Sequence, residues 1–227
     1  MILKFDRIDE EIKIDSSSIT TVEIMDRIEF SRIVESLLSE KGLDGVEPYA
    51  LTSGGGETIK PKKAMILCSS LPNLPFSDRA LITGLYERIA REIRDQPLLD
   101  VEVNNLAISL REEIADVQHE LLGSYVFSAV WASEAFLKAF SFSPDVGEDD
   151  DFLERCKVFV GLCADAAPQM PICFVNLKSF LDGNSLEDLY ESIFSLGEAA
   201  VLLESWHDEN EHDRERKIAI DLQFLEN

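Results

Sequence analysis

The sequence lacks long hydrophobic runs. It contains no stretch of about 18 consecutive apolar residues, so no membrane-spanning helix is predicted. Residues 1–7 have neither the basic region nor the apolar region of a secretion signal. Hydrophobic residues make up 45% and charged residues 29% of the 227 residues, which is the balance of a globular protein. We therefore expect a protein of the cytoplasm that makes no membrane contact.

Cysteine is also scarce. The four cysteines, Cys68, Cys156, Cys163 and Cys173, form no CxxC pair and no zinc-finger spacing with a histidine. Cys156 and Cys163 are seven residues apart, which places them on one face of a helix. We interpret all four as small buried hydrophobic side chains in a reducing compartment.

Recognisable catalytic motifs are missing. No serine or cysteine stands in a nucleophile elbow, and no motif marks a pair of acids. His207 and His212 lie in the charged segment 208–216 or next to it, where we expect a solvated loop, and His119 lies on a polar helix face. The sequence therefore predicts a protein that is not an enzyme.

The glycine-rich residues 53–58 are the one candidate for a phosphate-binding loop. They lack the GxxxxGK[ST] pattern, they lead towards a strand, and Glu57 would repel phosphate. We predict a plain turn and no nucleotide cofactor. A nucleotide-binding α/β protein remains an alternative because the surrounding pattern is α/β.

Hydrophobic periodicity predicts strands and a helix in the first third of the chain. Short alternating segments are followed by Ile19 to Ile24, which are rich in β-branched residues. The next apolar residues recur at helical spacing, with Asp26 placed to cap the helix and Gly42 to end it.

Helical spacing continues through the middle of the chain. Two apolar stripes in residues 77–143 predict long helices that pack on each other. The second stripe consists of Val103, Leu106, Leu110, Ile114, Val117 and Leu121.

The last third returns to an α/β pattern. An apolar helix is followed by a strand–helix–strand unit over residues 171–204, which predicts parallel strands. Ser185 is expected to cap the helix of this unit, and alternating residues from Ile218 to Phe224 predict a final strand. We predict an α/β head domain of residues 1–76 and 144–227, and an inserted, elongated α-helical domain of residues 77–143.

Basic residues are few but grouped. Lysine and arginine number 21 against 44 aspartates and glutamates, a formal net charge of −23, which by itself argues against nucleic-acid binding. Lys60, Lys62 and Lys63 nevertheless stand together, and Lys138 stands alone in an otherwise apolar helix. In a ring of identical subunits each group would repeat around the hole and form a positive collar.

Three acids are candidates for a cation site. Glu113, Asp116 and Glu120 fall on one helix face, and calcium prefers several carboxylate oxygens. The alternative is a solvated helix face that flanks the apolar stripe.

The order of elements resembles a family, the ring-forming adaptation proteins of type II-A CRISPR systems (the Csn-two family). The likeness spans nearly the whole chain and lies in an ordered series of short segments. These are residues 1–5 (MILKF), 8–10 (IDE), 30–34 (FSRIV), 66–67 (IL), 136–138 (FLK), 172–176 (ICFVN), 180–181 (FL) and 200–204 (AVLLE).

The resemblance implies a head domain with the topology of P-loop ATPases but without their nucleotide motifs, a helical leg domain, and a homotetrameric ring. Members bind linear double-stranded DNA through a lysine-lined hole without sequence preference. They act in spacer acquisition with other CRISPR adaptation proteins and the RNA-guided effector nuclease. Lys138 matches a family lysine near the end of the leg helices.

Calcium stabilises the ring in known members, but this chain lacks most of the acids of the corresponding run. Either this protein does not bind calcium, or Glu113, Asp116 and Glu120 form a calcium site with fewer acids. A second alternative, favoured by the net charge, is an acidic structural adaptor of the adaptation complex that binds no DNA itself.

Overall fold

The structure is a computed structural model that describes residues 1–123, 125–127 and 131–220, except the side chains of Lys63, Gln118 and His119. The chain divides into two compact units, one of residues 1–76 and 144–227 and one of residues 77–143. Along the chain the elements are β1 (Ile2–Phe5), β2 (Ile12–Lys13), β3 (Ile19–Ile24), α1 (Arg27–Ser39), β4 (Tyr49–Thr52), β5 (Ile66–Cys68), α2 (Arg79–Arg94), α3 (Pro97–Asp116), α4 (Ser133–Ala139), α5 (Phe152–Ala166), β6 (Ile172–Val175), α6 (Gly183–Ser195), β7 (Ala200–Glu204) and β8 (Glu215–Ile220).

The first unit is built on a five-stranded parallel sheet. Its strand order is β5-β6-β7-β3-β8, and every neighbouring pair runs parallel. All residues of β3, β6 and β7 are buried, as expected for strands covered on both faces. The predicted α/β class with a parallel sheet is confirmed, and so is the strand–helix–strand unit formed by β6, α6 and β7.

A small antiparallel sheet of order β2-β1-β4 completes the strands of this unit. Its apolar residues join those of one face of the parallel sheet and of α1 in a single hydrophobic core. Leu3 and Phe5 of β1, for example, lie in the same core as Val22 of β3 and Ile33 of α1. Alternating apolar residues therefore place the N-terminal strands over the parallel sheet.

Two of the expected helix boundaries differ from the structure. Asp26 caps α1 as predicted, but the helix ends at Glu40 in the left-handed conformation rather than at Gly42. For α6 the expected cap Ser185 is wrong, because the carboxylate of Asp182 accepts the backbone N–H of Ser185 at 2.8 Å. A carboxylate is as good a cap as a hydroxyl, so two nearby candidates could not be separated by pattern alone.

The second unit contains α2, α3 and α4. Leu81, Leu85 and Ala90 of α2 are buried, and so is Leu137 of α4. The second apolar stripe, however, is largely open to solvent: Leu106, Leu110, Ile114 and Val117 are each at least half exposed. The expectation that this stripe packs within the subunit is therefore wrong for the described part of the chain.

The segment between β7 and β8 also differs from expectation. The sequence predicts a solvated loop over residues 208–216, but the side chains of Asp208 and His212 are buried and Glu215 already begins β8. Of the predicted last strand, Leu222 and Phe224 lie outside the described residues. Among the described residues, no helix combines the length and apolar composition that crossing a membrane requires.

Candidate functional site

The predicted basic segment forms a short 3-10 turn, Pro61–Lys63, that leads towards β5. Pro61 packs closely on the loop after α1, because a Cβ atom at Gly42 would come within 2.9 Å of the Pro61 ring. The backbone N–H of Ala64 donates to the Pro61 carbonyl at 3.1 Å and closes the turn. Lys60 and Lys62 are exposed, and the side chain of Lys63 lies outside the described residues. A fixed turn therefore presents lysines to solvent.

Several other cations of the first unit are compensated by acids, whereas Lys13, Arg27 and Lys41 are exposed and have no ion pair with a described side chain but stand apart from one another. Lys4 lies 3.9 Å from Glu11, and Lys157 lies 2.9 Å from Glu154. Within the part of the chain that the structure describes, neither Lys60 nor Lys62 forms an ion pair or a side-chain hydrogen bond. In a chain with about twice as many acids as bases, their positive charge is left for an external anion.

Lys138, the remaining predicted DNA contact, lies in the other unit. It stands in the last turn of α4, is exposed, and has no ion pair with a described side chain. The three acids of the predicted calcium site also lie in this unit. Glu113 and Asp116 belong to α3, Glu120 ends the 3-10 turn that follows, and all three are exposed.

The described residues contain no group of three His, Cys, Asp or Glu side chains that could hold a metal ion. The carboxylates of Glu113, Asp116 and Glu120 are therefore not gathered into a complete site within one subunit. Calcium binding stays a prediction, and a site would need ligands beyond these three.

The glycine-rich segment is a hairpin turn, as predicted. The N–H of Gly56 donates to the Ser53 carbonyl at 2.9 Å, and Thr52 pairs with Thr58 in antiparallel fashion. Gly56 has a φ of +82°, a conformation that favours glycine. Because the turn joins two extended segments, no helix N-terminus follows it to receive a phosphate.

In the first unit, aspartate carboxylates cap the N-termini of the helices α1, α5 and α6. Only Met25 and Asp26 separate β3 from α1, and Asp26 accepts the N–H groups of Ile28 and Glu29 at 2.8 and 2.9 Å. The caps of α5 and α6 are likewise aspartates. A phosphate at these positions would meet negative charge, so these helix N-termini do not offer a phosphate site.

A buried group of charges, which the sequence did not reveal, lies against the parallel sheet. Lys178 Nζ is 2.8 Å from Asp208 Oδ2 and 2.6 Å from Glu215 Oε1. We call these three residues the charge cluster. It links the turn after β6 to the β7–β8 connection and to the start of β8, so it fastens that connection onto the sheet.

Two further acids border the charge cluster. Glu23 of β3 lies with Oε2 2.5 Å from His207 Nδ1, and its Oε1 accepts the Asp208 N–H at 3.1 Å. Glu204 of β7 accepts the Lys178 N–H at 3.1 Å through Oε1. Its Oε2 is buried without a hydrogen-bond partner among the described residues. An unpartnered carboxylate oxygen is costly to bury in charged form.

The protonation behaviour of this region follows from burial and pairing. Burial raises the pKa of Glu204 to about 7 in spite of the nearby Lys178. Burial alone would raise the pKa of Asp208, but the hydrogen bonds from Lys178 and from the Asn210 backbone lower it to about 2. Burial alone would lower the pKa of Lys178, but its hydrogen bonds to Asp208 and Glu215 raise it. Lys178 and Asp208 are therefore both charged at neutral pH.

All four cysteines are buried free thiols, as predicted. Burial raises the pKa of Cys156 to about 12 and that of Cys68, Cys163 and Cys173 further. Because these raised pKa values keep the thiols protonated, the four cysteines are poor nucleophiles and act as small packing residues.

These observations define an α/β protein with a parallel sheet, aspartate-capped helices and two unpaired lysines on a fixed turn. No protein-family model matches the sequence, and no curated protein matches it. The fold is similar to the crystal structure of Stu0660 of Streptococcus thermophilus, with 15% sequence identity over 96% of this chain and 74% of that chain and a TM-score of 0.52. This likeness shows a shared fold.

A putative ABC transporter ATP-binding protein from Pyrococcus furiosus is also similar. The identity is 12% over 96% of this chain and 97% of that chain, with a TM-score of 0.43. That score is too low to support an argument.

Proposed function

We propose that this protein binds linear double-stranded DNA without sequence preference and without catalysis, as a homotetrameric ring of the type II-A CRISPR adaptation family. Lys60, Lys62, Lys63 and Lys138 of each subunit would face the hole. The ring would act in spacer acquisition with other adaptation proteins and the RNA-guided effector nuclease. In this proposal the second unit corresponds to the leg domain of the family, and the first unit to a head with P-loop-ATPase topology.

The observation that carries the proposal is the uncompensated charge of Lys60 and Lys62. Acids outnumber bases about two to one, yet both lysines are exposed and unpaired with any described carboxylate. Neutralising phosphates with such lysines releases counterions and drives binding irrespective of base sequence. The similarity in fold to Stu0660 and the segments shared with the family are consistent with this role.

The exposed stripe of α3 supports the oligomeric part of the proposal. Leu106, Leu110 and Ile114 follow one another at a spacing of four residues and are each at least half exposed. Contiguous apolar surface of this kind marks a protein–protein contact. A contact between subunits through this stripe would supply the closed assembly that the proposal requires.

The test compares linear duplex DNA with small covalently closed circles in a gel shift over a range of salt concentrations. A threading ring retains linear DNA and spares circles, and its affinity falls as salt rises. Replacing Lys60, Lys62, Lys63 and Lys138 together by glutamine should abolish retention while the sedimentation profile stays that of the wild type.

A charge-matched control separates this role from a general effect of net charge. K60Q/K62Q and K4Q/K157Q each remove two positive charges, but Lys4 and Lys157 are paired with acids. The first variant should weaken binding and reduce the salt dependence, and the second should leave both nearly unchanged. Equal behaviour of the two variants would refute the assignment of these lysines.

The net charge of −23 favours a second function, an acidic adaptor that recruits other adaptation proteins and binds no DNA. An adaptor would retain neither linear nor circular DNA at any salt concentration. The same gel shift therefore decides between the two functions.

A further inference from the structure

A row of aromatic rings is formed by one residue of the short helix α4, Phe136, and by Trp131 and Phe140, which lie beyond its two ends. The ring centroids of Trp131 and Phe136 are 5.2 Å apart, and those of Phe136 and Phe140 are 4.5 Å apart. We call these three residues the aromatic row. Phe140, at its end, is 73% exposed. The ring planes of the two pairs are tilted by 41° and 37°, and Phe136 and Phe140 are exposed, so these two rings are open to contact with a further ring.

The aromatic row is held in place within its unit. Leu137, on the adjacent helix position, is buried, and α4 packs on α2. Tyr86 of α2 donates its hydroxyl hydrogen to the Phe142 carbonyl at 2.8 Å, which fixes the chain just after α4. A ligand that stacks on the row would therefore meet rings that are already positioned, at little entropic cost.

The charge around the aromatic row suits an anionic ligand. Glu134 is the one acid of α4, and it lies 3.6 Å from Arg94 Nη1, which compensates its charge. Lys138 has no described partner, so α4 carries an uncompensated positive charge. Since α4 has seven residues, it is about 10 Å long, and Lys138 lies within one side-chain length of the row.

Aromatic rings beside a free cation match the chemistry of a nucleotide, in which a flat base is joined to a phosphate. Proteins that hold single-stranded nucleic acid combine these same two features. A nucleotide joins its flat base to a phosphate by covalent bonds, so one ligand would contact both the rings and Lys138. A contact between copies of this chain is the alternative that the test below separates.

We propose that the aromatic row stacks on unpaired bases at DNA ends, while Lys138 contacts a phosphate of the same strand. This inference rests on the proposed function and extends it, because it names ends with unpaired bases as the preferred form of the ligand. Stacking is tolerant of base identity, so the preference is independent of sequence. Each stacked base should strengthen binding roughly ten-fold.

Fluorescence anisotropy with the full chain tests the inference. The probes are one labelled duplex with blunt ends and the same duplex with a four-nucleotide single-stranded overhang. The wild type should bind the overhang form about ten-fold more tightly. F136L/F140L, which keeps apolar side chains but removes two rings, should lose this preference and bind the blunt duplex as before.

The matched control is F180L. Phe180 is also exposed and also contacts another ring, that of Phe152 at 5.5 Å, but it lies in the other unit. F180L should keep the preference for overhangs.

Three outcomes would overturn the inference. If the wild type binds both probes equally, the aromatic row does not stack on bases, although the proposed function stands. If F136L/F140L binds neither probe and sediments as a smaller species, the row is a contact between copies. If the wild type binds neither probe, the proposed function fails as well.

Discussion

Replacing Lys178 by methionine should destabilise the first unit strongly. The Lys178, Asp208 and Glu215 side chains are only 2%, 5% and 1% exposed, and the two ion-pair distances are 2.8 and 2.6 Å. Methionine is similar in length but uncharged, so K178M leaves two buried carboxylates without their cation. Removing one partner of a buried ion pair costs about 3–5 kcal/mol.

Urea unfolding followed by tryptophan fluorescence measures this loss. The matched control is K157M, because Lys157 and Glu154 are also 2.9 Å apart but their side chains are 29% and 54% exposed. An exposed pair contributes only about 0–1 kcal/mol to stability. K178M should therefore lower the free energy of unfolding several-fold more than K157M does.

The triple variant K178M/D208N/E215Q distinguishes two causes of destabilisation. One is the loss of the attraction within the ion pairs, and the other is the burial of carboxylates that no longer have a cation. Because no buried charge is left unpaired, it should be more stable than K178M alone. A loss for K178M no larger than that for K157M would refute the idea that the charge cluster fastens the β7–β8 connection.

The pH dependence of this contribution has a definite sign. The folded-state pKa of Lys178 is raised, so its contribution is present below about pH 10 and is lost as pH rises through that raised value. The pKa of Asp208 is lowered to about 2, so its contribution is present above about pH 4 and is lost as pH falls through about 2. The difference between wild type and K178M should therefore be largest near neutral pH and should shrink towards both limits.

Two further predictions concern Glu204 and calcium. Because burial raises the pKa of Glu204 to about 7, the stability that its protonated form provides is lost as pH rises through that value. In urea unfolding, E204Q should lose roughly 2 kcal/mol less than the wild type between about pH 5 and pH 8, and equal losses would contradict the reasoning. If calcium is structural, EDTA should dissociate the oligomer in sedimentation, and E113Q/D116N/E120Q should do the same without EDTA. An unchanged profile in both cases would remove calcium from the proposal.

Local features of this fold could be predicted from the sequence. The strand β3 follows from its β-branched residues, and the start of α1 follows from Asp26, whose carboxylate reaches the backbone N–H groups of the next few residues. The strand–helix–strand unit of β6, α6 and β7 is predictable because the pattern of apolar residues changes from strand-like to helical and back within about thirty residues. In each case the interactions that fix the structure join residues near each other in the chain.

The sequence identifies basic residues as candidate contacts to DNA, but it does not show whether their side chains are exposed or paired with acids. The sequence shows that Lys60 and Lys62 stand together, and that Lys138 lies in an apolar helix. Only the structure shows that these three lysines are exposed and have no ion pair with a described side chain, unlike Lys4, Lys157 and Lys178. Ion pairs between distant segments depend on the fold, so the net charge of the sequence does not reveal which lysines lack a partner.

The buried charges were beyond sequence reasoning for the same reason. Residues 208–216 have the composition of a solvated loop, but Lys178, thirty residues before Asp208, lies beneath them and makes burial favourable. The α3 stripe shows the converse. Its helical spacing was evident, yet the structure leaves Leu106 and Leu110 at the surface.

The sequence by itself determined the class of the fold, the capped start of α1 and the buried cysteines, because periodicity and capping act over a few residues. The tertiary structure alone decided which charges are buried together, which lysines stay unpaired and which apolar face remains open. Those outcomes depend on which distant segments become neighbours in the sheet, and pairing at such separations leaves no local pattern in the chain.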